Sequence, residues 1–97
     1  MAKMKITPVH PGVYLRELLD ELDISARRLA LHIDVSPMRI SLLLRGKRPI
    51  TADLSLRLER AFGMTAHYWL NLQMQYDLAV AEDDISPAVK AISTLAA

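Results

Sequence analysis

The chain has no cysteine. That excludes disulfides, thiolate metal sites and a cysteine nucleophile. Aromatic residues are scarce, with one Trp and one Phe in 97 residues. Glycine is also scarce, at three residues, and no Gly-rich phosphate loop can be assembled from them. No run approaches the roughly 20 apolar residues of a membrane span. The N-terminal stretch MAKMKITPVHPG lacks the apolar core of a secretory signal. A cytoplasmic protein is therefore expected, with no membrane partner. The last absence is local. Between Asp34 and Asp53 there is no acidic residue, although Arg39, Arg45, Lys47 and Arg48 all fall there. The net charge is only +1, so this basic patch is a property of one segment and suits a polyanion at one face.

The apolar content is high, at 52%, and comes mainly from Leu, Ala, Ile and Val. With so many strong helix formers and no alternating strand pattern, an all-α domain is expected. The length allows one domain. Residues 1–9 read as a lead-in in which Lys3 and Lys5 could extend the basic face. His10-Pro11 opens a first helix with an apolar stripe of Val13, Leu15, Leu18, Leu19 and Leu22. Ser25 caps a second helix, whose inner side is Leu29, Ala30 and Ile33. Asp34 occupies a tight turn in a left-handed conformation, which Asp tolerates better than most residues. Ser36 caps a third helix with Pro37 at its first position, and Gly46 stops it. Thr51 caps a fourth helix whose inward face is Leu54, Leu58, Ala61 and Phe62. Thr65 caps a fifth, about 66–81, and Ser86–Ala97 is a weakly helical tail. The domain proper spans 10–82, and 83–97 follows it, with room for one short helix.

The fifth helix is apolar on nearly two sides. Trp69, Leu72, Tyr76 and Ala79 share one, while Leu70, Met74, Leu78 and Ala81 share another. A domain this small covers one side only, so a second copy of the chain is expected on the other. Trp69, Leu70, Leu72, Met74, Tyr76 and Leu78 are the candidate dimer residues, with either face open as the interface. The alternative is that the tail folds back over the helix.

Two short helices around a tight turn form a reader of the DNA major groove when the second is exposed along one side. Winding the third helix puts Ile40, Leu43 and Leu44 inside. Met38, Leu42 and Arg45 then face outward, flanked by Arg39 and Ser41. Arg39 or Arg45 can bond guanine, and Ser41 can donate or accept. Met38 and Leu42 can only touch thymine methyls or a protein surface. Ser36, Lys47, Arg48, Arg27 and Arg28 are candidates for phosphate. Enzyme chemistry is not expected. His10, His32 and His67 lack metal-ligand spacing, and no acid pair falls in an evident pocket. No cofactor is implied.

The segments HPG, LALHIDVSPMRISLLLRGKRPI, LRLERAFG and YWLNLQMQYDL resemble the HigA (VapI-like) antitoxins of the Cro/CI-type helix-turn-helix superfamily. The resemblance runs from about His10 to Ala81. It implies a five-helix, lambda-repressor-like domain with a C-terminal dimerisation helix. It also implies a homodimer that represses its own operon at a palindromic operator and neutralises a HigB-like toxin, a RelE-like enzyme that cleaves mRNA. Carried over position by position, the DNA contacts fall at Ser36, Pro37, Met38, Arg39, Ser41, Leu42 and Arg45, with Lys47 and Arg48 in the following loop. The family often has polar or basic residues where this chain has Pro37, Met38 and Leu42. It commonly has Asn in place of Arg45 and Gly in place of Asp34. The operator sequence is therefore left open. Two other readings remain beside this one: a solitary or phage-type repressor with no toxin partner, and a protein-interaction module that does not read DNA. Exposed acids at Asp20, Glu21, Glu82, Asp83 and Asp84 are candidates to meet a basic toxin.

Overall fold

The computed structural model describes residues 7–96, so Lys3 and Lys5 lie outside the described residues. Six helices follow one another: α1 (Pro11–Leu22), α2 (Ala26–His32), α3 (Pro37–Leu44), α4 (Ala52–Phe62), α5 (Ala66–Asp83) and the single turn α6 (Pro87–Lys90). There is no strand among the described residues. The expected five-helix domain is thus present, and the sixth element is a short turn in the tail that Ser86 caps and Pro87 begins.

The helix starts follow from local chemistry. Ser25, Ser36, Thr51 and Thr65 each accept a hydrogen bond from the backbone N–H three residues on, at 3.1 to 3.2 Å. His10 replaces a hydroxyl cap, its Nδ1 accepting from the Gly12 N–H at 2.9 Å. The stops are equally local. Asp23 and Asp34 are the two non-glycine residues with positive φ among those described, at 55° and 57°. After α3, Gly46 takes φ 74°. Its N–H bonds the Leu43 carbonyl and the Lys47 N–H bonds that of Leu42, which satisfies two carbonyls at the helix end.

Leu15, Leu19, Leu29, Ala30, Ile33, Ile40, Leu43, Leu54, Leu58 and Trp69 form one core, which Leu44 and Ile50 extend. α1 packs on α3 and α5, α2 on α3, and α4 on α5. Three corrections to the helical patterns follow. Val13 and Leu22 were expected in the buried stripe of α1, yet both are exposed. The stripe is the narrower set Leu15, Leu18 and Leu19, because the short α3 covers only that width. Trp69 was expected at the dimer surface, yet it is only 1% exposed. It packs in the protomer core beside Phe62 and Tyr68.

The approach of α1 to α3 depends on Gly12. A Cβ at this position would collide with the Leu43 carbonyl oxygen. His10, next to it, lies against Gly46 and meets the Tyr76 ring edge-on at 5.0 Å. Burial lowers the His10 pKa below its ordinary 6.5, partly offset by the Arg48 carbonyl and the Asp77 charge.

Two outcomes follow. Gly12→Ala should destabilise the fold by about 1–3 kcal/mol through overpacking, read from urea unfolding. The lowered His10 pKa means that folding favours the neutral ring. Its contribution is complete above about pH 6.5 and falls away as the pH drops through the lower folded value. Wild-type thermal stability should therefore fall more steeply from neutral pH to about pH 5 than that of His10→Asn, which can still cap α1. Parallel pH profiles would contradict this role.

Candidate nucleic-acid interface

α2 and α3 meet around a turn whose geometry is fixed from outside. Val35 N–H bonds the Ala30 carbonyl, closing the end of α2 across Asp34. Arg57, from α4, then reaches the turn. Its Nη1 donates to the Ile33 carbonyl at 2.7 Å and to that of Asp34 at 3.3 Å. Its Nε donates to Asp53 at 2.8 Å, which holds the guanidinium in line. Sequence reasoning missed Arg57, since an Arg on the outer side of an amphipathic helix reads as a solvated charge. Only the packing of α4 against the turn gives it carbonyl partners.

With Ile40, Leu43 and Leu44 buried, α3 presents its opposite side outward. Met38 is 65% exposed and Pro37 is exposed. Arg45, Lys47 and Arg48 are exposed where α3 runs into the basic loop. Ser41 and Leu42 are half-buried. Ser36 spends one lone pair on the Arg39 N–H, so its hydroxyl proton is available to an external acceptor. Arg39 is half-buried and directed: its Nη2 donates to Thr51 Oγ1, the cap of α4, at 3.0 Å. It therefore lies along the protein surface at the border of a cleft. That cleft, of about 510 Å³, gathers Ser36, Met38, Arg39, Leu42 and Arg48 with Pro49 and Thr51. Pro37, Ser41, Arg45 and Lys47 do not line it. The surface combines donors, cations and an apolar patch and carries no acid from 35 to 52. It can take phosphates and base edges.

The loop that carries Lys47 and Arg48 is anchored at its far end. Ile50 is buried, and its N–H donates to Gln73 Oε1 on α5 at 2.8 Å. Gln73 is itself 7% exposed, and its Nε2 donates to Asp77 at 2.9 Å. This link between the basic loop and α5 was invisible in the sequence, where Gln73 is one polar residue in an apolar helix.

α5 is divided by the core. Trp69 is buried, Leu72 is half-buried against the core, and half-buried Tyr76 meets His10. Trp69 therefore belongs to the protomer core and is removed from the candidate dimer set, while Leu72 and Tyr76 are partly taken up by contacts within the protomer. Leu70, Met74 and Leu78 are 36%, 52% and 53% exposed. With Ile50 and Ala81 they line an open, mostly apolar groove of about 760 Å³. The tail does not cover it, since Val89, Ile92 and Leu95 are themselves exposed. His10, His32 and His67 are dispersed, and no group of three metal-ligating side chains occurs among the described residues. Nor is any helix among them long and apolar enough to cross a membrane.

Comparison with known proteins matches this geometry. Residues 15–69 fit the helix-turn-helix family model HTH_3. Virulence-associated protein I of Dichelobacter nodosus is 48% identical over 83 residues, covering 84% of this chain and 77% of the relative. An addiction module antidote protein of the HigA family from Coxiella burnetii superposes with a TM-score of 0.87. It is 41% identical, with 92% of this chain and 99% of that one covered. The Pseudomonas aeruginosa antitoxin HigA, solved with the higBA promoter, gives a TM-score of 0.86 at 40% identity, with 92% and 99% covered. Such proteins are DNA-binding regulators and antitoxins, not enzymes. With its helix-turn-helix and the long helix behind it both matched, the chain belongs to the HigA (VapI-like) antitoxin family of Cro/CI-type helix-turn-helix proteins.

Proposed function

We propose that this chain is the antitoxin and autorepressor of a toxin–antitoxin pair. As a homodimer it reads a palindromic operator in double-stranded DNA and neutralises a HigB-like, RelE-type mRNA-cleaving toxin. The observation that carries the reading is the combination, in one small domain, of an acid-free basic face around α3 with an uncovered apolar strip on α5. Ser36, Lys47 and Arg48 supply phosphate contacts, together with Arg39 held at the α4 cap. Arg45 and Ser41 offer hydrogen bonds to bases, and Pro37, Met38 and Leu42 offer apolar contact.

Leu70, Met74 and Leu78 recur every fourth residue along one side of α5, the spacing at which one helix packs against another. Pairing two copies there would set the two α3 helices relative to one another. A palindrome is then read when they lie roughly 34 Å apart, one turn of DNA. The exposed acids Asp20, Glu21, Glu82, Asp83 and Asp84 are the proposed complement to a basic toxin. The relative solved with its promoter supports the DNA half of the reading; the toxin half rests on family membership.

Three experiments test it. In gel-shift titration with the region upstream of its own operon, affinity should fall steeply as salt rises, because phosphate contacts release counterions. Replacing Lys47 and Arg48 by Ala should reduce the slope of log affinity against log salt by about one per lost contact. No specific shift at low salt, with Arg39→Ala and Arg45→Ala behaving as wild type, would sink the DNA reading. Separately, light scattering should give a mass near twice 10.9 kDa. Met74→Lys with Leu78→Lys should give a folded monomer with much weaker operator binding. A wild-type monomer at micromolar concentration would contradict the pairing. Co-expression with the product of the adjacent reading frame should relieve that protein's toxicity and yield a complex; a harmless neighbour that does not bind would leave a solitary repressor.

A further inference from the structure

The most unusual feature of the DNA-facing surface is its apolar content. Met38 and Leu42 stand one helical turn apart on the outward side of α3, and Pro49 meets them from the loop to α4. Met38 is exposed and Leu42 half-buried, and the apolar surface they leave on the outward side of α3 can take an apolar counterpart. In the major groove of B-form DNA one group fills that role: the 5-methyl of thymine.

We propose that the cleft between α3 and the α4 cap is a reading pocket for that methyl group, and that Met38 and Leu42 specify a thymine in each operator half-site by shape. The inference rests on the DNA-binding reading above and names what its central contact recognises.

Three observations carry it. The first is composition. Met38, Leu42 and Pro49 supply an apolar wall to the cleft, while Arg39, Arg48 and Thr51 supply polar groups around it. A thymine in a duplex has the same make-up, a methyl on the base edge with phosphates to either side. An apolar protein segment would leave two guanidinium groups facing it without anions, which argues against a protein occupant. The second is preorganisation. The bond from Arg39 to Thr51 Oγ1 places the guanidinium at the border of the cleft, and moving it across would cost that bond. The third is reach. Residues four apart on a helix are separated by about 6 Å along its axis. Bases on one strand stack about 3.4 Å apart. Met38 and Leu42 together thus span one to two base steps, enough to enclose one methyl and touch its neighbour.

The same pocket would discriminate thymine from uracil, which pairs identically and differs only by the missing methyl. This property gives the test. Duplexes selected by the protein from a random pool should carry a thymine at a fixed place in each half-site. They are then resynthesised with each thymine replaced in turn by deoxyuridine. One such replacement in a single half-site should weaken wild-type binding about fourfold, the effect of losing one buried methyl, and the same replacement in both half-sites roughly fifteenfold. Leu42→Ala and Met38→Ala should bind the thymine duplex more weakly and be nearly indifferent to that replacement, while replacements elsewhere affect all three proteins alike. Met38 is largely exposed, so M38A should retain the fold even if L42A does not, and a helical circular-dichroism melt identifies that case.

Wild-type affinity that is unchanged by every deoxyuridine overturns the pocket and leaves DNA binding standing. So does a loss that persists undiminished in both variants. Failure to select any duplex overturns the DNA reading and the pocket with it.

Discussion

The contact on which the molecule depends is the close approach of α1 to the C-terminal end of α3 at Gly12. With no Cβ in the way, the backbone of α1 can lie against the Leu43 carbonyl. That one allowance sets where the end of α3 sits relative to the rest of the domain. The residues beside it exploit the same closeness. Pro11 is buried, and His10 caps α1, lies against Gly46 and touches Tyr76. One tripeptide thereby joins the start of the domain, the end of the recognition helix and the long α5. Burial at that junction is also why the His10 ring favours its neutral form.

From this point outward, α3 is held by polar ties that start on other elements. Arg57 of α4 grips the carbonyls of the turn before α3. Thr51 at the cap of α4 orients Arg39. Gln73 of α5 anchors Ile50 at the end of the basic loop. The ties to Ile33 and Ile50 satisfy backbone groups that burial would otherwise penalise. Together with the exposed bond from Arg39 to Thr51, they connect α3 and its flanking loop to α4 and α5.

The long α5 shows how one helix serves two surfaces. Trp69 closes the protomer core with Leu72 packed against it, and Tyr76 meets His10, while Leu70, Met74 and Leu78 remain open on the other side. Gln73 falls between the two sets and ties α5 to the loop that carries Lys47 and Arg48. A partner seated on the open strip would thus lie one hydrogen bond from the basic loop. A second protomer there would fix two readers as a unit.

The sequence by itself determined the helices, their caps and stops, the acid-free basic segment and the two-sided character of α5. These depend on neighbours in the chain: a hydroxyl three residues from an N–H, a Gly or Asp at a left-handed position, an apolar residue every third or fourth place. It also placed the outward side of α3, because burying Ile40, Leu43 and Leu44 leaves Met38 and Arg45 nowhere else to face. Tertiary structure alone decided which apolar positions are covered. Val13 and Leu22 fit the periodicity of α1 and are exposed, and Trp69 fits a dimer strip and is buried, because coverage depends on the width and position of the neighbouring helix. It alone assigned Arg57, Gln73 and Arg39 their partners, since each reaches a group 12 to 24 residues away in the chain. Periodicity records which side of a helix is apolar; what lies opposite that side is set by how the helices pack.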